Sequence, residues 1–188
     1  MERYKENKTD ERNITTTKRS KVMNIFFLDE TPSLSAEYLC DKHIPKMLLE
    51  SAQMLSTAVR KYEEETNSTP LAEPIYKSAY PKHPMTIWVG TTKDNFNWAL
   101  ENALWINNEY EYRFKKKHKS FKVIQNIIDF ELDAHIPEGK ITTPPQCMPD
   151  EYRDKDYITA YRKYYRGAKK YFAKWEKGRS FPEWWAHV

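Results

Sequence analysis

The chain lacks the residues and patterns that mark several protein classes. It has only two cysteines, Cys40 and Cys147, too few for a disulfide framework, which predicts a reducing, cytoplasmic location. No long apolar run follows the charged N-terminus, so the sequence predicts neither a secretory signal nor a membrane-spanning helix. A Walker A motif, a Gly-x-Gly-x-x-Gly loop and a nucleophile elbow are all missing. These absences argue against secreted, membrane and P-loop proteins.

What the sequence does contain is enough apolar material for a packed core. Hydrophobic residues make up 39% of the 188 residues and aromatic residues 14%. With helical periodicity and only four glycines, this composition predicts a mainly α, compact single domain over residues 23–188. Residues 1–22 are polar and predict a mobile N-terminal extension. The apolar run at 24–28 predicts a short extended segment, either a buried strand or a lid on the helical core.

Proline and glycine indicate where the helices begin and end. Pro45 interrupts a periodic stretch, so we expect a kink or a new helix start around His43. Pro84 and Gly90 are the expected ends of a short helix. Further helices are predicted at about 93–117, 120–132 and 156–177.

A row of polar side chains follows one face of the helix predicted after residue 43. His43, Lys46, Glu50 and Gln53 recur at steps of three and four beside a separate apolar face. We interpret the row as the lining of a polar pocket. The alternative is a solvated face with a Lys46–Glu50 pair, worth only about 0.2–0.5 kcal/mol.

The helix predicted from residue 93 carries a second mixed face, in which amides alternate with aromatic residues and charges. Such a face suits a planar ligand that stacks and accepts hydrogen bonds, and packing against a neighbouring helix is the alternative. Its members are Asn95, Trp98, Asn102, Trp105, Glu109 and Tyr112.

Positive charge concentrates in the second half of the domain. The formal net charge is +4, and residues 162–179 hold eight basic side chains against Glu176 alone. Basic residues interleaved with aromatic ones favour a nucleotide or nucleic-acid partner over a membrane. The predicted tail helix shows this pattern at Tyr161, Arg162, Tyr164, Tyr165, Arg166 and Lys169.

Metal binding has little support in the sequence. Cys40 and His43 could be combined with Cys147, His83 or His118 into a zinc site, but the spacing is weak. We therefore predict neither a metal nor any other cofactor.

Three motifs resemble the pyrimidine-dimer DNA glycosylases of the phage endonuclease V type. A Lys-x-x-x-Glu-x-x-Gln-x-Leu pattern is matched by Lys46, Glu50, Gln53 and Leu55. A His-Pro-x-x-x-Trp-x-Gly pattern is matched by His83, Pro84, Trp88 and Gly90. The aromatic and basic segment at 161–167 echoes the end of the phage enzymes. The resemblance implies a compact, mostly helical domain from a phage-type protein.

The chain departs from that family where the chemistry lies. The family implies a free N-terminal amine as nucleophile, with a glutamate beside it on the first helix. Here His43 stands at the glutamate position, and residues 1–22 precede the segment that corresponds to the family's start. The sequence leaves open whether translation starts at Met1 or Met23. His43 and Glu50 are the catalytic candidates if the protein is an enzyme.

We therefore predict a phage-type protein that binds and sequesters a nucleotide-derived small molecule, such as a host immune signal. The alternative is a DNA-binding glycosylase/lyase, and a structural phage protein is third; an oligomer is compatible with each. The residues expected to bind the ligand combine the two polar faces with their basic flanks. They are Lys42, His43, Lys46, Glu50, Gln53, His83, Asn95, Trp98, Asn102, Trp105, Glu109, Tyr112 and Arg113.

Overall fold

The fold is seen in a computed structural model, which describes residues 23–66 and 75–186. Of these residues 57% are helical and none forms a strand, which confirms the predicted mainly helical class. The predicted extension, residues 1–22, lies outside the described residues. In chain order the helices are α1 (Pro32–Glu37), α2 (His43–Thr66), α3 (Pro84–Val89), α4 (Lys93–Phe114), α5 (Lys119–Asp129), a 3-10 turn (Asp150–Tyr152), α6 (Tyr157–Lys169) and α7 (Glu183–Ala186).

Helix α2 is the central element, because it packs against α3, α4 and α5. It begins at His43, as predicted, and Pro45 lies in its first turn, where the missing N–H costs no helical hydrogen bond. Its apolar face is fully buried, with Ile44, Leu48 and Leu55 at 0% exposure. No described helix combines the length and the apolar character that crossing a membrane requires.

A close approach fixes α3 against α2. Gly90 follows the last residue of α3, and a Cβ built on it would lie 3.1 Å from the Cβ of Ala58. A side chain at this position would require Ala58 to shift by a few tenths of an ångström. Gly90 therefore ends α3, as predicted, and also permits the contact.

Residues 23–28 run through the core without pairing as a strand. Met23 to Leu28 are all buried, and side chains satisfy part of their backbone. The amide of Leu28 donates to Ser35 Oγ at 3.2 Å, and that hydroxyl donates to the carbonyl of Phe26 at 2.9 Å. The segment is thus part of the core, and neither the strand nor the lid considered from sequence describes it.

Helix α6 and the C-terminal segment cover residues 23–28. The rings of Phe26 and Phe27 contact four tyrosines of α6: Tyr157, Tyr161, Tyr164 and Tyr165. The chain then turns back, and Trp184 and Trp185 both contact the ring of Tyr165 edge-on. Phe26 therefore lies between the first turn of α2 and the middle of α6.

Candidate functional site

His43 lies at the first turn of α2 in a buried aromatic setting. Its ring stacks on Phe26 with centroids 4.9 Å apart, and its Nδ1 lies 2.7 Å from the hydroxyl of Tyr165. That hydroxyl also accepts a hydrogen bond from the amide of Cys40. Burial, together with nearby lysines, lowers the pKa of His43 to about 3. The imidazole is therefore neutral at physiological pH.

Glu50 lies two turns further along the same face of α2. Its Oε2 accepts the backbone N–H of Asn24 at 3.1 Å, and its Oε1 pairs with Lys46 Nζ at 3.0 Å. Burial raises the pKa of this carboxyl, and Lys46, Asn24 and Lys169 oppose the shift. The predicted Lys46–Glu50 pair is thus present, but its carboxylate is 11% exposed and does not lie on a solvated face.

Three lysines surround these two groups, and we call Lys42, Lys46 and Lys169 the lysine cluster. Each of them lowers the pKa of His43 by charge repulsion. The Nζ of Lys169 lies 3.0 Å from the hydroxyl of Tyr164 and 4.4 Å above its ring. Within the described residues, Glu50 is the only carboxylate paired with a member of the cluster. Three ammonium groups thus lie near the neutral imidazole, and two of them, on Lys46 and Lys169, also act on the carboxyl group of Glu50.

A hollow of about 840 Å³ opens beside the cluster. We call it the proline hollow, and its lining is formed by residues 144–149, His83, Pro84, Arg153 and Tyr164. Asn24 connects the two places, because its Nδ2 donates to the carbonyl of Cys147 at 3.0 Å while its backbone N–H binds Glu50. Tyr164 belongs to both, since its hydroxyl contacts Lys169.

The amide and aromatic face of α4 does not line this site. Asn95 is fully buried, with its Nδ2 bonded to the carbonyl of Trp88 and to Thr142 Oγ1, both at 2.9 Å. Trp98 stacks on Phe27 at 4.4 Å, and Asn102 donates to the carbonyl of Pro32. These three side chains therefore pack against other parts of the chain, and the structure does not bring them to the candidate site.

The charged end of the same face is also occupied by protein partners. Arg113 is 6% exposed, and its Nε bonds Glu109 at 2.8 Å while its NH1 lies 3.1 Å from Asp41. Arg179 binds the other oxygen of Glu109 at 2.6 Å. Arg113 and Glu109 thus belong to a buried ion network, away from the candidate site.

Two aromatic residues of the predicted α4 set lie at the surface. Tyr112 is 45% exposed and donates its hydroxyl to the carbonyl of Gly178. Trp105 is 42% exposed. Neither lines the proline hollow, so the stacking role predicted for them is not supported by their positions.

The predicted residues of the tail helix divide between core and rim. Tyr161 and Tyr165 are fully buried, so they shape the core. Arg162 donates to the carbonyl of Leu28 and pairs with Asp29, and Arg166 donates to the carbonyl of Trp184. Of this set, Tyr164 and Lys169 reach the candidate site. From the α2 row, Gln53 is half-buried one turn beyond Glu50.

A smaller hollow of about 590 Å³ lies at the C-terminal segment, and its arginines are already neutralised. Arg162 pairs with Asp29, and Arg179 pairs with Glu109 and Glu37. This place is therefore less suited to an anion than the lysine cluster. Within the described residues, no three His, Cys, Asp or Glu side chains are grouped to hold a metal ion.

Sequence reasoning missed Asn24, Phe26 and the loop at 144–149. The sequence pattern indicates only an apolar run around Asn24 and Phe26. For residues 144–149 it indicates only a loop rich in proline. Proline density near a predicted helix was the available signal, since ordered loops often carry binding residues.

Comparisons of the chain with family models, with curated proteins and with solved structures find no match. The resemblance to the endonuclease V-type glycosylases therefore stays a prediction.

Proposed function

We propose that the protein binds and retains a nucleotide-type small molecule, with the phosphates of the ligand at the lysine cluster. The observation that carries this proposal is the group of three lysine side chains near a neutral His43, of which Lys46 pairs with the carboxylate of Glu50. An anionic ligand would compensate the excess positive charge. The start of α2 adds the positive end of a helix dipole at Lys42 and Lys46.

Lysine supplies a point charge with three donors, which fits phosphate oxygens. Lys46 has 55% of its side chain exposed, so its ammonium group is accessible from solvent while its partner Glu50 is buried. Lys169 is held by Tyr164 in a fixed position, which reduces the entropy lost on binding. The cluster is thus accessible and partly ordered before a ligand arrives.

The direct test is native mass spectrometry of protein purified from host lysate, followed by titration with pyrophosphate and guanosine diphosphate. Ligand at about 100 times its Kd should stabilise the protein by about 2.7 kcal/mol. Lys169→Ala should weaken binding about ten- to a hundred-fold, the value of a charge-assisted contact. Lys122→Ala is the matched control, because Lys122 is an exposed lysine on α5. Equal binding by both variants would remove the lysine cluster from the proposal.

Sequestration requires that the ligand is released chemically unchanged. In a phage-type protein, retention of a host immune signal would need no turnover. Incubation with excess ligand and analysis of the released molecule by mass spectrometry separates this role from an enzymatic one. Conversion of the ligand would show that His43 or Glu50 acts as a general acid or base.

A second function, DNA glycosylase/lyase, is favoured by one specific distance. The backbone nitrogen of Asn24 lies 3.1 Å from Glu50 Oε2, and the family resemblance implies an amine beside a glutamate. The carboxylic acid next to this nitrogen is thus Glu50, whereas the motif comparison places His43 at the position of the family's glutamate. In the chain described here that nitrogen is a peptide amide, which is not a nucleophile.

Borohydride trapping on DNA with an abasic site tests this alternative. The full chain should form no covalent adduct. A variant released from a tag so that Asn24 is the first residue would carry a free amine beside Glu50. Adduct formation by that variant, lost on Glu50→Gln, would establish the lyase reading.

A further inference from the structure

The proline hollow differs in chemistry from the lysine cluster beside it. Its volume of about 840 Å³ falls in the range of small-molecule sites, roughly 300–1,000 Å³. Four prolines, Met148 and Tyr164 contribute to its lining, and no Asp or Glu is among the described lining residues. Flat apolar walls of this kind suit an aromatic ring better than a phosphate group.

The hollow and the cluster are neighbours that are connected through Tyr164 and Asn24. The ring of Tyr164 lines the hollow while its hydroxyl lies 3.0 Å from Lys169 Nζ. On the other side, Asn24 binds Glu50 through its backbone and the carbonyl of Cys147 through its side chain. A ligand with its phosphates on the lysines would therefore have the hollow next to it.

Two side chains that line the hollow, His83 and Arg153, carry hydrogen-bond donors, and both polar atoms of the Gln146 side chain are bonded to the backbone of Asp154. Nδ1 of His83 accepts the N–H of Met85 at 3.2 Å, and burial lowers the pKa of His83, so the ring is neutral with its proton on Nε2. Arg153 adds a guanidinium with 56% of its side chain exposed, paired with Asp150 at 2.9 Å. These two side-chain donors are complementary to a ring whose edge carries acceptor atoms.

We propose that the proline hollow holds the heterocyclic base of a nucleoside phosphate, and that it prefers bases with an acceptor edge, such as guanine. Guanine presents N7 and O6 as neighbouring acceptors, whereas adenine presents N7 beside an amino donor. The assignment rests on the proposed function, because the lysine cluster supplies the phosphate end of the same ligand.

Cys147 provides a probe inside the hollow. It lines the hollow and is half-buried, whereas Cys40, the other cysteine, is 0% exposed. Burial raises the pKa of the Cys147 thiol, so alkylation by iodoacetamide is measured at mildly alkaline pH. Cys147→Ser should abolish the labelling and thereby identify the labelled residue.

Guanosine diphosphate should protect Cys147 from alkylation. With ligand at about ten times Kd, about one tenth of the sites are free, so the rate should fall about ten-fold. Pyrophosphate and ribose 5-phosphate, which have no base, should stabilise the protein and leave the rate unchanged. Adenosine diphosphate should bind more weakly than guanosine diphosphate.

Each contrary result has a definite meaning. Protection by pyrophosphate equal to that by guanosine diphosphate would overturn the assignment of the hollow to the base. Binding of guanosine diphosphate without protection would do the same and leave the proposed phosphate site intact. Equal affinity for the two nucleotides would overturn the preference for an acceptor edge.

Guanosine separates this inference from the proposed function. It has no phosphate, so at sufficient concentration it should protect Cys147 in the wild type and in Lys169→Ala alike. If Lys169→Ala binds pyrophosphate as well as the wild type, the phosphate site fails. Protection by guanosine in that case would still support the hollow as a base site, and its absence would overturn it.

Discussion

The backbone N–H of Asn24 donates to Glu50 Oε2 at 3.1 Å, across 26 residues of sequence. The Asn24 side chain makes two more hydrogen bonds: Nδ2 donates to the carbonyl of Cys147 at 3.0 Å, and Oδ1 accepts from the hydroxyl of Tyr161 at 3.1 Å. One buried residue thus joins α2, α6 and the loop at 144–149. The position of the proline hollow relative to the lysine cluster depends on it.

Asn24→Ala should release the loop at 144–149 from the cluster. The backbone bond to Glu50 remains, and the side-chain bond to the carbonyl of Cys147 is lost, so the free energy of unfolding should fall by roughly 1–3 kcal/mol. Alkylation of Cys147 should become faster, because the loop opens more often. Asn97→Ala, at an exposed position of α4, is the control and should change neither quantity. An unchanged alkylation rate in Asn24→Ala would show that other contacts hold the loop.

Acid should destabilise the protein through His43. Its pKa is about 3 in the folded state against an ordinary value of 6.5, so the unfolded chain binds more protons between these values. Stability is therefore complete above the unfolded value and is lost as the pH falls, by up to about 1.4 kcal/mol per pH unit. His43→Gln keeps an acceptor for Tyr165 but cannot titrate.

Urea denaturation from about pH 7 to about pH 4.5 measures this slope. The wild type should lose stability more steeply than His43→Gln, although the variant starts lower because it loses the stack on Phe26. His135→Gln, at an exposed position, should follow the wild type. Parallel curves for the wild type and His43→Gln would show that His43 is not the group responsible.

Much of the helical fold could be predicted because prolines and glycines mark its boundaries. The start of α2 at His43 and the limits of α3 at Pro84 and Gly90 follow from such local signals. The end of α6 does not follow from a local signal, because the aromatic periodicity continues to Trp175 although the helix stops at Lys169. The chain turns there, and Trp175 instead packs against Trp185 with ring centroids 4.9 Å apart.

The candidate site was only half predictable for a related reason. Helical periodicity shows which side chains share a face, and it placed His43, Lys46 and Glu50 together. It does not show what that face meets. The amides of α4 have the same kind of spacing, yet Asn102 meets the carbonyl of Pro32 on α1 and so has a structural role. Asn24 and Lys169, which complete the site, come from distant parts of the sequence.

The buried ion network on α4 should be important for stability. Arg113→Met removes a guanidinium with 0% side-chain exposure and leaves the carboxylates of Asp41 and Glu109 without it. Breaking a buried pair from one side typically costs about 3–5 kcal/mol. Arg179→Met is the matched comparison, because Arg179 pairs with the same Glu109 but is 31% exposed, and it should cost less. Chemical denaturation of both variants measures the loss in the free energy of unfolding. Equal losses in the two variants would contradict the assignment of Arg113 as the central cation.

Tyr164 should contribute its ring, rather than its hydroxyl, to nucleotide affinity. Its ring lines the proline hollow, and stacking of a base on an aromatic side chain is worth about 1–3 kcal/mol. Tyr164→Leu should therefore weaken guanosine diphosphate binding by about ten-fold or more, and it should weaken pyrophosphate binding less, through the lost contacts to Lys169 alone. Tyr164→Phe keeps the ring and loses only the contact to Lys169, so it should retain most of the affinity for guanosine diphosphate. Calorimetric titration of the three proteins with both probes gives the comparison. The contrary result is a loss of pyrophosphate binding in Tyr164→Phe that is as large as the loss of nucleotide binding in Tyr164→Leu. It would show that Tyr164 acts by positioning Lys169 and not by stacking.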